Sequence, residues 1–193
     1  MNLKKWSFLF FSTLLLGGIG GLVSGVIIGQ ETFKNGFANF GMGLFGNVLA
    51  GIMFSVISQM GFFAYLTINY MALGFFKKKS LWEGIQIILI LLVFIDLVVL
   101  RHDIFAGQAS LLSYVVLPAV LLVLAVVVAF FKVQATNRTA WIPTVFFMFA
   151  VTTLEWVPAL RTNNIKSMLF MLIPLFLCNI WQIMQLHRLV KSS

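Results

Sequence analysis

The sequence predicts an all-α integral membrane protein, a bundle of about six transmembrane helices. Hydrophobic residues fill 61% of its 193 positions and charged residues 9%, well below the roughly one quarter that keeps a soluble domain dissolved. The mean hydropathy is +1.05. Apolar runs of about 20 residues recur between short polar breaks, and about 20 residues at about 1.5 Å each are what a hydrocarbon layer of about 30 Å requires. Lipid is therefore the solvent for much of the surface, and no linker is long enough to hold a soluble domain.

The first span runs from Trp6 to Ile28. It follows Lys4-Lys5 in the basic-then-apolar order of a secretory signal, but it exceeds the roughly 7 to 15 apolar residues of a cleaved one, so it is read as retained. The second runs from Gly43 to Phe76, which as one helix extends roughly 50 Å. The expected form is a long tilted helix, with a break and re-entrant turn at Gly61 as the alternative. The remaining spans are Leu81 to Leu100, Ala109 to Phe131, Trp141 to Leu160 and Ser167 to His187, and the whole of 1–193 reads as one transmembrane domain. Pro118, Pro143, Pro158 and Pro174 mark expected kinks or helix ends.

Thirteen Lys and Arg against five acids give a net charge of +8. In a membrane protein such an excess lies beside cytoplasmic headgroups, so nucleic acid is not the expected partner and membrane lipid is. With the amino end inside, the cytoplasmic segments carry Lys4, Lys5, Lys77, Lys78, Lys79, Lys132, Arg138, Arg188 and Lys191. The outer segments carry Lys34, Arg101, Arg161 and Lys166. This bias predicts that both ends are cytoplasmic.

Gly17, Gly21, Gly25 and Gly29 recur at every fourth residue of the first span. Such a face lets another backbone approach closely. Its partner is another helix of the same chain, a second copy in a homo-oligomer, or a second protein. The second span repeats the spacing in polar form with Gly43, Asn47, Gly51, Ser55 and Gln59, joined by Ser58 and Asn69. Amides in lipid are costly, so this stripe should meet other helices, through interhelical hydrogen bonds or as a ligand or coupling site. Two acids lie within spans, Asp96 and Glu155. An intramembrane carboxylate is a functional candidate by default, although Arg101 and Arg161 follow closely enough to form interfacial ion pairs. Lys77-Lys78-Lys79 reads as a topology anchor or a docking site for an acidic surface.

Catalytic signals are missing. Cys178 is alone, which excludes an intrachain disulfide or thiolate cluster. His102 and His187 stand at span ends without metal-site spacing, and no phosphate loop, serine nucleophile or paired carboxylates appear. No enzyme, cofactor or metal is expected.

The stretch Phe54-Ser-Val-Ile-Ser-Gln-Met-Gly-Phe-Phe-Ala-Tyr-Leu-Thr-Ile-Asn69, with Ser80-Leu81-Trp82 and Phe94-Ile95-Asp96-Leu97-Val98-Val99-Leu100-Arg101, resembles the KbaA family, the KinB-signalling pathway activation proteins of spore-forming bacilli. The resemblance implies a non-catalytic accessory protein of the bacterial plasma membrane. Its implied partner is the sensor histidine kinase KinB, which feeds phosphate into the relay that starts sporulation. It transfers no catalytic residue, and it marks the segment Ser58 to Gly61 as important to fold or signalling. The competing reading is the substrate-binding subunit of an energy-coupling-factor vitamin transporter, also a six-helix protein with small residues on its first helix. Asp96, Glu155 and Asn163 would furnish its polar pocket.

Overall fold

The computed structural model describes residues 3–28, 37–76, 78–104, 111–161 and 164–190. Gly29, Lys34, Lys77, Asn163 and Lys191 lie outside the described residues. The elements are α1 (Leu3–Ile28), α2 (Phe37–Phe75), α3 (Lys79–Ile104), α4 (Leu111–Ala135), a 3-10 turn (Arg138–Ala140), α5 (Trp141–Phe146), a π-helical turn (Phe147–Val151), α6 (Thr152–Leu160) and α7 (Ile165–Val190). No strand occurs among the described residues. Among the described residues, six helical stretches are long and apolar enough to cross a membrane, the fifth being Arg138–Leu160. The protein is therefore all-α and of the polytopic membrane class.

Helices are the form that lipid demands, because the hydrocarbon offers no water to an unpaired N–H or C=O. Hydroxyls inside the spans borrow carbonyls of their own helix: Thr13 Oγ1 donates to Leu9 O at 2.7 Å, Ser24 Oγ to Gly21 O at 3.1 Å and Thr67 Oγ1 to Phe63 O at 2.9 Å. These bonds satisfy the hydroxyl without breaking the ladder. Pro143 stands in the first turn of α5, where its missing N–H costs nothing. Pro118, Pro158 and Pro174 lie inside α4, α6 and α7. At the head of α7, Asn164 Oδ1 accepts the Lys166 N–H at 3.0 Å, an N-cap.

α2 is helical throughout, Gly61 included. Its 39 residues extend roughly 58 Å at the standard rise, far beyond the hydrocarbon thickness. The re-entrant alternative does not occur.

The chain divides into two compact units, residues 1–61 with 164–193, and residues 62–163. In the first, α1 runs antiparallel to both α7 and the early part of α2. Three contacts in sequence order define the α1–α7 pairing: Ser12 with Trp181, Thr13 with Cys178 and Gly20 with Pro174. Phe54 of α2 meets Phe170 of α7 edge-on at 5.9 Å.

The second unit is built on aromatic side chains. Phe62 and Tyr65 of α2 pack on Phe147, with ring centroids at 5.6 and 5.1 Å. Trp82 of α3 stacks on Phe76 and meets Phe146 edge-on. Phe94 of α3 lies against Phe149 at 6.2 Å, and His102 of α3 meets Tyr114 of α4 at 5.8 Å. The π turn is buried all round: Phe147, Met148, Phe149 and Ala150 are consecutive and all covered. The Thr152 N–H reaches the carbonyl of Phe147, five residues back, which closes the wider turn.

Phe147→Ala should therefore lower stability in detergent by on the order of 3 kcal/mol, through lost packing and the cavity left behind. Leu154→Ala, at a position 63% exposed, should change it little. Thermal unfolding of the two purified variants measures the difference.

Candidate functional site

The glycine face of α1 lies directly against α2. A Cβ built on Gly21 would fall 2.7 Å from the Cα and 2.9 Å from the N of Gly51, and onto the carbonyl of Asn47. One built on Gly17 would stand 2.6 Å from Gly51 O and strike Ser55, and one on Gly51 would meet Gly17 O and lie 2.8 Å from Gly21 Cα. At Gly21 and Gly51 the obstacle is backbone, which cannot turn aside. At Gly25 it is the side-chain amide of Asn47. Two small-residue faces, Gly17-Gly21-Gly25 and Asn47-Gly51-Ser55, thus meet within the first unit, the arrangement that favours dispersion contacts in lipid. Gly43 lies in the same helix, and a Cβ built on Gly20, outside the four-residue series, would stand 3.0 Å from Pro174 Cα on another flank of α1.

The polar candidates divide by what they touch. Ser55 Oγ donates to Ile52 O of its own helix at 2.7 Å. Ser58 Oγ donates to Asn179 Oδ1 of α7 at 2.7 Å, in a buried bond across helices, and Gln59 Nε2 reaches Phe10 O of α1 at 3.4 Å. In the second unit Asn69 Oδ1 accepts from Trp82 Nε1 at 2.8 Å, which ties α2 to α3 across the turn after Phe76. Tyr65 adds an O–H bond to Pro143 O at 3.3 Å. The stripe of α2 is thus partly interhelical and partly self-satisfied.

Asp96 and Glu155 occupy unlike environments. Asp96 is exposed on α3, the least covered of the six spans. Glu155 is 8% exposed in α6. Arg161 is exposed, and the side chain of Arg101 is not among those described. Of the basic cluster, Lys78 and Lys79 are exposed, and Lys79 pairs with Glu83 at 3.5 Å one turn into α3. That partly exposed pair contributes little stability.

Several polar residues of the interior carry no motif that sequence reading could catch. Asn179 and Trp181 bond to α2 and α1, the latter through Nε1 to Ser12 Oγ at 2.9 Å. Gln86 and Gln182 are fully buried, and neither amide has a hydrogen-bond partner among the described residues. A lone amide inside an apolar run was the available signal. No group of three or more His, Cys, Asp or Glu able to hold a metal ion occurs among the described residues.

Residues 17–189 match the KbaA family, described as KinB-signalling pathway activation in sporulation. The chain belongs to the KbaA family. It is 36% identical over 186 residues to the KinB-signaling pathway activation protein of Bacillus subtilis (strain 168), with 93% of each chain covered. No solved structure matches it. The matched region includes Gly17, Gly21, Gly25 and the whole polar stripe of α2.

Three alanine substitutions separate close contact from mere presence of glycine. Gly21→Ala meets backbone and should cost about 1–3 kcal/mol by overpacking. Gly18→Ala, whose Cβ would find ordinary contacts at 3.5 Å with Ile52 and Val48, should be tolerated. Gly46→Ala meets nothing within 4 Å and should be neutral or gain up to about 1 kcal/mol of helix propensity. Unfolding midpoints in one detergent report all three.

Proposed function

We propose that this chain is a non-catalytic accessory protein of the plasma membrane. In this reading it raises the activity of a KinB-type sensor histidine kinase by contact within the membrane, with both of its own ends in the cytoplasm. The observation that carries the reading is the family match over nearly the whole chain, together with a relative similar along 93% of its length. The excess of Lys and Arg on the segments assigned to the inside supports the orientation.

A partner shifts a kinase's conformational equilibrium only by binding one state better than the other, and couplings of about 1–3 kcal/mol suffice for a strong response. The surfaces available for this are lipid-facing. The small-residue faces of α1 and α2 cover each other, whereas α3 presents Ile88, Leu91, Leu92 and Ile95 outward with Asp96 beside them. Asp96 is the exposed member of the polar candidates. It stands about 6 Å along the axis from Leu100, the last residue of its span. A carboxylate in such a place is costly without a donor, and a kinase helix carrying a basic or hydroxyl side chain at that depth relieves the cost. We assign the kinase contact to this face of α3.

Deletion of the chain should depress sporulation through the KinB branch and leave a kinase that feeds the same relay by another route unaffected. Asp96→Leu should reproduce much of the loss while the protein accumulates normally. Photo-crosslinking from Leu92 and Ile95 to the kinase should fall with it. An unchanged KinB-dependent sporulation frequency in the deletion strain removes the assignment, and a normal frequency with Asp96→Leu removes the α3 contact alone.

A further inference from the structure

The antiparallel pairing of α1 and α7 gathers basic residues that are far apart in sequence. Ser12 and Trp181 are joined by a 2.9 Å hydrogen bond. Lys5 precedes Ser12 by seven residues and Arg188 follows Trp181 by seven, and seven residues are two helical turns. Each therefore stands on the same face as its bonded counterpart, about 10 Å further along the axis, at the same end of the unit. Lys4 lies one turn before Phe8 and is exposed, as is Arg188. Neither α1 nor α7 contains an acidic residue. The cluster's charge is uncompensated within the two helices that build it.

Directly below the cluster the surface is grooved. One apolar groove of about 590 Å³ runs between α1 and α7, lined by Phe8, Ser12, Leu16 and Trp181 among others. A second, of about 490 Å³, runs between α1 and α2 past Gly18, Val48 and Ile52. Phe11 and Leu15 line both and form the ridge between them. Gly18 opens the second groove because it carries no side chain.

We propose that this end of the first unit binds one anionic phospholipid, its phosphate held by Lys4, Lys5 and Arg188 and its two acyl chains laid in the grooves on either side of the Phe11–Leu15 ridge. A positive cluster at the boundary and paired apolar channels beneath it match the charge and the forked shape of a diacyl phosphatidylglycerol. Basic pockets between transmembrane helices take anionic headgroups by the same physics. The site is independent of any kinase contact.

Tryptophan emission tests it. The full-length protein is reconstituted in phosphatidylcholine vesicles that hold a small fraction of lipid brominated on its acyl chains, either phosphatidylglycerol or phosphatidylcholine. The difference between the native protein and Trp181→Phe isolates the emission of Trp181. That component should be quenched by brominated phosphatidylglycerol at a fraction at least about fivefold lower than by brominated phosphatidylcholine, since fivefold is about 1 kcal/mol, the contribution of a single basic residue near an anionic surface. The preference should vanish in the triple variant Lys4→Gln, Lys5→Gln, Arg188→Gln, and in the native protein it should shrink as salt is raised. Equal quenching by the two lipids overturns the proposal. So does a preference that survives the triple variant or high salt, or one shared equally by the emission remaining in Trp181→Phe.

Discussion

The first unit depends on two backbones touching. At Gly21 and Gly51 the main chains of α1 and α2 come so close that a single methyl on either would overlap the other helix. In water such a contact would be a minor addition to hydrophobic burial, but lipid tails are as apolar as any side chain, so close packing must supply what water expulsion does elsewhere. Everything else in that unit follows from where this contact puts α1. Its other flank is offered to α7 at Gly20 and Pro174, and Ser12 and Thr13 come within bonding reach of Trp181 and Cys178. The bond from Ser58 to Asn179 then closes the triangle between α2 and α7.

The second unit solves the same problem with bulk in place of its absence. Phe62, Tyr65, Phe146, Phe147 and Trp82 interlock edge to face and tilted, which suits the ring quadrupoles. Polar atoms are attached where the rings carry them: the indole of Trp82 finds Asn69 and the phenol of Tyr65 finds the carbonyl of Pro143. One helix, α2, contributes glycines to the first arrangement and aromatics to the second.

The helical spans were legible because membrane thickness imposes a length on apolar runs, and the four-residue glycine spacing was legible because it puts side-chain absence on one face. Their ends were less so. α3 continues to Ile104 and α4 to Ala135, past the points where charge interrupts the apolar run, because the helical ladder persists into the headgroups and Lys132 suits a helix carboxyl end. Which face the glycines would meet was not legible, since Asn47, Gly51 and Ser55 are equally compatible with a partner chain. The partners of Asn179 and Trp181 were not legible because a hydrogen bond across 121 or 169 residues leaves no local pattern. Asp96 and Glu155 looked alike in sequence, each an acid shortly before an arginine. Helical phase, together with how much of each span its neighbours cover, made one exposed and the other buried.

That phase depends on the π turn. A turn of this kind holds one residue more than an α-turn, so every side chain after it is rotated by about 100° relative to an uninterrupted helix. Leu154 therefore faces outward while Glu155 and Trp156 are covered. Removing one residue between Phe147 and Val151 would restore a plain helix and advance the next turns by one position on the wheel. The glutamate's burial is thus written in the length of the segment before it, and a frame of one residue, more than the identity of any side chain in it, decides which chemistry the end of the fifth span shows to lipid.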